Sequence, residues 1–204
     1  MLFGDPGYDI ELARELGLQD KFVVAYFGTH GLSHGLLNAI RAAALVKDDG
    51  IFFLFVGEGA EKKAMMALAE DLGVTNVCFM GQQLREEIPK FWGICNVGLV
   101  HLKNDPVFKT VIPSKIFEAM AAGRPVIYSG PVSDGSNLIL EHQCGLVTRP
   151  DDPEDLAVKI NELKNNSELA TTLASNAKKA SPNFSRERQA TKTLDVLKAA
   201  ANLR

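Results

Sequence analysis

The chain has 204 residues, 46% hydrophobic and 23% charged, a composition that supports one good-sized globular core. Its 22 basic and 25 acidic residues leave a formal net charge of −3, which argues against general affinity for nucleic acid or anionic membrane. No uncharged apolar run approaches the roughly 20 residues needed to span a bilayer, and Met1 to Pro6 lacks the basic and apolar regions of a signal peptide.

In chain order, the first ten or so residues carry Gly4, Pro6 and Gly7 and read as a linker remnant. Phe22 to Phe27 is a β-rich run closed by Gly28, and Leu36 to Val46 repeats apolar residues at helical spacing. Ile51 to Val56, closed by Gly57, reads as a second strand, and Ala60 to Leu72 as a helix with Gly73 as its C-terminal stop. Val77 to Met80 predicts a short strand before Gly81, Arg85 to Trp92 a short helix with Pro89 near its first turn, and Val97 to Leu102 another strand. Pro113 to Ala122 reads as a helix with proline at its start and Gly123 at its end. Pro125 to Tyr128 predicts a strand, Asn137 to His142 a short helix and Gly145 to Val147 a last strand. Beyond Pro150 the pattern is wholly helical: Pro153 to Lys164, Ser167 to Lys179, and Ser185 to Ala201. These three pack on the sheet or reach towards a neighbour.

Strands without polar alternation are buried on both faces, which favours a parallel sheet with helices on either side. The repeated β-α-β-α order predicts a doubly wound, Rossmann-like α/β domain with extra C-terminal helices. Residues 1–20 are expected to be linker remnant and start of the domain, 21–182 the nucleotide-sugar-binding body, and 183–204 a C-terminal helix. Cys78, Cys95 and Cys144 match neither a zinc pattern nor a disulfide framework, and read as buried free thiols of a reducing cytoplasm.

In such sheets ligands bind at the carboxyl ends of the strands, so the loops there carry the chemistry. Gly28, Gly31, Ser33, His34 and Gly35 lie in the first such loop, whose helix points N–H groups at whatever lies above, an anion site in outline. The glycine spacing matches neither a dinucleotide fingerprint nor a P-loop, and a plain turn competes with the ligand loop. Gly57 and Gly59 flank Glu58, which suggests backbone near a ligand; a simple turn is the alternative. Gly81, Gln82 and Gln83 offer amides and side chains that read a base edge, or form a solvated turn. The strongest segment runs from Pro113 to Pro125. Ser114 and Lys115 stand where a helix dipole attracts anions, and Glu118 shares their face one turn deeper. A phosphate over the helix start, with Glu118 accepting from ribose hydroxyls, is one reading; a Lys115–Glu118 surface pair is the other. Ile116, Phe117 and Met120 form the opposing, buried stripe.

At this helix the sequence resembles the family 4 retaining glycosyltransferases. The likeness runs from about Phe22 to Lys198. It includes Val56-Gly57-Glu58-Gly59, Leu72-Gly73-Val74, Glu87-Ile88-Pro89, Phe117-Glu118-Ala119-Met120-Ala121-Ala122-Gly123-Arg124-Pro125, Cys144-Gly145-Leu146-Val147 and Phe184-Ser185-Arg186-Glu187. Pro113-Ser114-Lys115 is similar to members that build bacterial surface polysaccharides.

The resemblance implies a GT-B enzyme of two facing Rossmann-like domains. This chain would be the donor-binding one, without the N-terminal acceptor domain. It implies a nucleoside-diphosphate sugar as substrate, no cofactor, no metal and no nucleic-acid partner. A cytoplasmic location follows, peripheral to the membrane through the absent domain, with a lipid-linked acceptor there. Glu118 matches the second glutamate of the family's E-x7-E motif; Thr110 stands where the first would be, and Lys109 to Ile112 are candidates to substitute for it. His34 stands where a diphosphate-binding lysine is expected, so His34 and Lys115 are the candidate catalytic residues, stabilising the leaving diphosphate. Asp151-Asp152 reads as a helix cap. A non-catalytic nucleotide-binding module and a nucleotide-sugar epimerase of the same fold are the competing classes.

Overall fold

The computed structural model describes residues 6–202. Six strands form one all-parallel sheet in the order β3-β2-β1-β4-β5-β6. They are β1 (Phe22–Phe27), β2 (Ile51–Val56), β3 (Val77–Met80), β4 (Val97–His101), β5 (Val126–Ser129) and β6 (Gly145–Thr148). β1 and β2 run in register from Phe22 opposite Ile51 to Phe27 opposite Val56. The uninterrupted apolar runs of β1, β2, β4 and β5 fill the middle of the sheet and are almost wholly buried. β3 lies at one edge and is only half-buried, which leaves Cys78 half-buried while Cys95 and Cys144 are enclosed.

Helices cover both faces. α2 (Leu37–Leu45), α3 (Lys62–Asp71) and α7 (Pro153–Asn165) close one side over Phe53, Phe55 and Leu99. α4 (Ile88–Gly93), α5 (Ser114–Ala121), α6 (Asp134–Glu141) and α8 (Ser167–Ala180) close the other over Phe27, Leu54 and Tyr128. α6 begins three residues before its apolar run because Ser133 and Ser136 form a reciprocal capping box. α9 (Arg186–Asn202) follows a 3-10 turn, Ser181–Phe184. Unlike α7 and α8 it leaves the body, with Leu194, Val196 and Leu197 exposed.

The N-terminal stretch is more ordered than a linker. Asp9 caps α1 (Ile10–Glu15), and Ala13 and Leu18 are buried in the core beneath it. That helix is too short for its period to show in sequence. Residues 1–5 of the expected linker lie outside the described residues. No described helix is long and apolar enough to cross a membrane.

The strand order reverses between β1 and β4. β1 and β4 pair only at Val24 with Val97 and Ala25 with Gly98, short of their carboxyl ends, and such a switch point is where a crevice forms in an open parallel sheet.

Candidate functional site

A cleft of about 990 Å³ opens near that crevice, lined by Gly28 after β1, Gly57 after β2, Gln82 after β3 and the start of α5. Its size is that of a small-molecule site.

α5 supplies the chemistry. Pro113 precedes it in extended geometry (φ −63°, ψ 132°), and no side chain caps its first amides. The positive end of the helix dipole therefore faces the cleft unneutralised. Ser114, Lys115 and Glu118 all line the cleft, with Ser114 Oγ 3.4 Å from Glu118 Oε1. The surface-pair reading does not hold. Lys115 makes no ion pair among the described residues; its Nζ rests 4.9 Å from the centre of the Tyr26 ring. Burial lowers the Lys115 pKa, and the nearby Glu118 charge works against that. Ile116 and Met120 are buried as expected, but Phe117 is not. One residue on from Ile116 and rotated about 100° around the axis, it forms part of the cleft wall and stacks on Phe184 at 5.0 Å.

Of the two readings left open for the glycine-rich loop after β1, the geometry fits the plain turn. A 3-10 turn, Leu32–His34, leads into Gly35, which sits at φ +60°. The amide of Leu36, at the start of α2, donates to buried Glu61 Oε2 at 2.9 Å. The protein's own carboxylate thus sits at the helix terminus offered to an anion. Other bonds strap the loop: Tyr26 Oη to the Thr29 carbonyl (2.8 Å), His30 N to the Glu58 carbonyl (2.8 Å) and Lys103 N to the Ser33 carbonyl (3.0 Å). Gly31, Ser33 and His34 do not line the cleft. The His34 carbonyl accepts from His101 Nδ1 at 2.6 Å, and its ring stands edge-on to Tyr26. Burial lowers the His34 pKa, with Lys115 adding to the effect, so its imidazole is neutral near pH 7.

Gly57 and Gly59 are glycines for the sake of the chain rather than a ligand. A Cβ on Gly57 would fall 2.0 Å from the Gly28 carbonyl oxygen, and one on Gly59 2.3 Å from that of His30. Gly57 still contributes backbone to the cleft; Gly59 does not. Lys62 ties the next two loops together, donating to the Gly57 carbonyl (3.0 Å), the Met80 carbonyl (2.9 Å) and Glu58 Oε1 (2.6 Å). After β3, Gln82 and Gln83 reach the cleft but Gly81 does not; its carbonyl accepts from Gln83 Nε2.

Several lining residues carried no signal in the sequence reading. Thr29 lies in the first glycine-rich loop; Arg85, expected to open a helix running to Trp92, lies instead in the turn before α4, which starts at Ile88. Phe184, Ser185 and Arg186 come from the far end of the chain and enter the wall because α8 packs against α5. In sequence the Phe184-Ser185-Arg186-Glu187 run carries only a family resemblance. Among the described residues, no cluster of His, Cys, Asp or Glu is arranged to hold a metal.

Residues 9–180 match the family described as glycosyl transferases group 1. The chain belongs to that family. Among relatives in this family, WbjE of Pseudomonas aeruginosa, named as a glycosyltransferase, is 30% identical over 144 residues. The match covers 70% of this chain and 36% of WbjE. WcaI of Escherichia coli K12, assigned by its name to colanic acid biosynthesis, is 31% identical over 113 residues, covering 55% of this chain and 28% of WcaI. The crystal structure of HepE from Anabaena, in complex with UDP and glucose, superposes with a TM-score of 0.80 at 25% identity, over 93% of this chain and 51% of HepE. The chain therefore spans well under half of these curated relatives and about half of that solved one. The doubly wound, GT-B-type fold expected from sequence is the fold observed.

Proposed function

We propose that this chain is the donor-binding half of a two-domain glycosyltransferase that takes a nucleoside-diphosphate sugar and contributes to bacterial surface polysaccharide or glycolipid synthesis. One observation carries the reading: an unpaired lysine at the uncapped start of α5, with a glutamate one turn deeper on the same side, both lining a cleft at the sheet's switch point. HepE, similar over nearly the whole chain, has been crystallised with UDP and with UDP-glucose, which supports a uridine nucleotide as the first to test.

In this reading the diphosphate lies over the first turn of α5, held by the free amides, Ser114 Oγ and the Lys115 ammonium. Glu118 accepts from the ribose hydroxyls, and Gln82, Gln83 and Arg85 face the base. As the sugar departs, negative charge grows on the diphosphate, and a fixed cation in a partly dehydrated site stabilises it more than it stabilises the bound substrate. His34, outside the cleft walls, is left out of direct contact. Transfer with retention, without a divalent cation, to a lipid-linked acceptor held by a separate domain at the inner membrane face, completes the proposal.

Calorimetry with UDP and GDP tests it. The chain is expected to bind one of them and to transfer no sugar by itself. Lys115→Ala should weaken binding roughly 10- to 100-fold, the range of a lost charge-assisted hydrogen bond. Unchanged affinity would remove the donor-site assignment. Measurable transfer by this chain alone would remove the two-domain reading. Loss of turnover on adding EDTA to the full-length enzyme would remove the metal-independent part.

A further inference from the structure

Lys115 is held in an unusual way for a cation beside a carboxylate. Glu118 is one turn away, yet the ammonium is not bonded to it. It lies instead on the face of Tyr26, 4.9 Å from the ring centre. Its stem presses on Gly28, where a Cβ would come within 3.0 Å of Lys115 Cε and 3.2 Å of Nζ. No described group accepts a hydrogen bond from Nζ.

Tyr26 itself is tightly enclosed. It is 1% exposed, at the carboxyl end of β1. His30, His34 and Phe55 surround its ring at centroid distances of 5.8, 5.9 and 6.5 Å. Its hydroxyl donates to the Thr29 carbonyl at 2.8 Å, and burial keeps that hydroxyl protonated far above the ordinary tyrosine range. The ring is thus an enclosed plate that touches Lys115 from behind the cleft wall rather than lining the cleft itself.

We propose that Tyr26 is a positioning residue for Lys115, holding the ammonium over its π-face at the mouth of the cleft with its N–H donors unspent. The inference rests on the assignment of Lys115 to the diphosphate. A carboxylate partner would aim the lysine too, but it would neutralise the charge and occupy its hydrogens, and a diphosphate would first have to break that pair. An aromatic face attracts the cation without accepting those hydrogens as a carboxylate does. Pre-placing a long side chain also removes rotamer entropy that binding would otherwise lose. The second role of Tyr26, strapping the first loop through its hydroxyl, is separable. Phenylalanine keeps the face and loses the strap; leucine loses both.

The test is UDP titration calorimetry on the 204-residue chain and on Tyr26→Phe, Tyr26→Leu, Lys115→Ala and the Leu/Ala double variant. Tyr26→Phe should stay within about threefold of the parent, whereas Tyr26→Leu should weaken UDP about tenfold. In the Lys115→Ala background, Tyr26→Leu should have no further effect. If leucine weakens UDP equally in both backgrounds, the ring acts only on the loop and the inference is overturned, while Lys115 keeps its role. If Lys115→Ala leaves UDP affinity unchanged, it is the donor-site assignment that fails. A measurement on the unaltered chain guards against an unfolded leucine variant. The ε-methylene protons of Lys115 should resonate upfield of the other lysines in the absence of nucleotide, from the ring current of Tyr26. Ordinary shifts there would overturn the inference whatever the variants do.

Discussion

Two strand-to-helix junctions meet at the switch point, and they differ in who supplies the negative charge. The junction after β1 has the glycines and the open turn of an anion loop, but Glu61 already sits at the start of its helix. The junction before α5 has two prolines, Pro106 and Pro113, and no glycine; its helix starts without a side-chain cap, beside a lysine that makes no ion pair among the described residues. A helix terminus attracts an anion only where the protein has not furnished one. The first junction is closed by the protein's own carboxylate; the second lines the cleft with its helix start uncapped.

The largest effect expected of that contrast falls on the scaffold. Gly57→Ala drives a Cβ into the Gly28 carbonyl and should cost about 3 kcal/mol or more in urea denaturation. Gly73→Ala, also at a positive φ (+65°, against +146° at Gly57) but with open space around it, should cost only about 1 kcal/mol. Equal losses would show that the two loops are not clamped.

Glu61→Ala should come next, losing about 1–3 kcal/mol by leaving the buried Leu36 amide unpaired. The same change should create an anion site: inorganic phosphate would then raise the melting temperature of the variant more than that of the parent. No such difference would mean that Glu61 is not what excludes anions from α2.

Acid should find the same scaffold. Burial holds His30 and His101 at about 4, below the ordinary 6.5. As pH falls below 6.5 the unfolded chain binds protons that the folded chain refuses, so stability drops down to about pH 4 and then levels. At pH 5.5 each histidine should account for about 1 kcal/mol. A His101→Gln variant should lose less stability than the parent between pH 7 and 5.5, as read from urea midpoints; an identical loss would clear His101 of the effect.

The smallest effect belongs to the junction before α5. Glu118→Ala should weaken UDP about fivefold while leaving inorganic pyrophosphate unaffected, as expected for one lost hydrogen-bonded contact to the ribose. A parallel loss for both ligands would place Glu118 on the phosphates.

The sheet was largely legible beforehand. The runs at Phe22 and Ile51 give strands with the bounds their composition implies, because a strand buried on both faces must be apolar throughout; the run at Val77 also keeps its bounds, as a half-buried edge strand. The start of α5 was legible because proline, a small polar residue and a lysine in that order leave few options. At three places a distant partner decided: Gly59 and the first loop each left a ligand reading and a plain-turn reading open, and Phe117 read as buried. Gly59 proved to accommodate His30, Phe117 to stack with Phe184, and the first loop to hold Glu61. In each case the deciding partner lies at a distance along the chain that no local pattern encodes.

The amino-acid order by itself therefore determined the layers, the strand succession and a cationic helix start, since hydrophobic period and capping chemistry act over a few neighbouring residues. Only the tertiary structure decided which of two similar junctions stays open to a ligand. That choice depends on a carboxylate 25 residues from the amide it binds, and on an aromatic ring in β1 that meets a lysine of α5 because the sheet sets β1 beside β4.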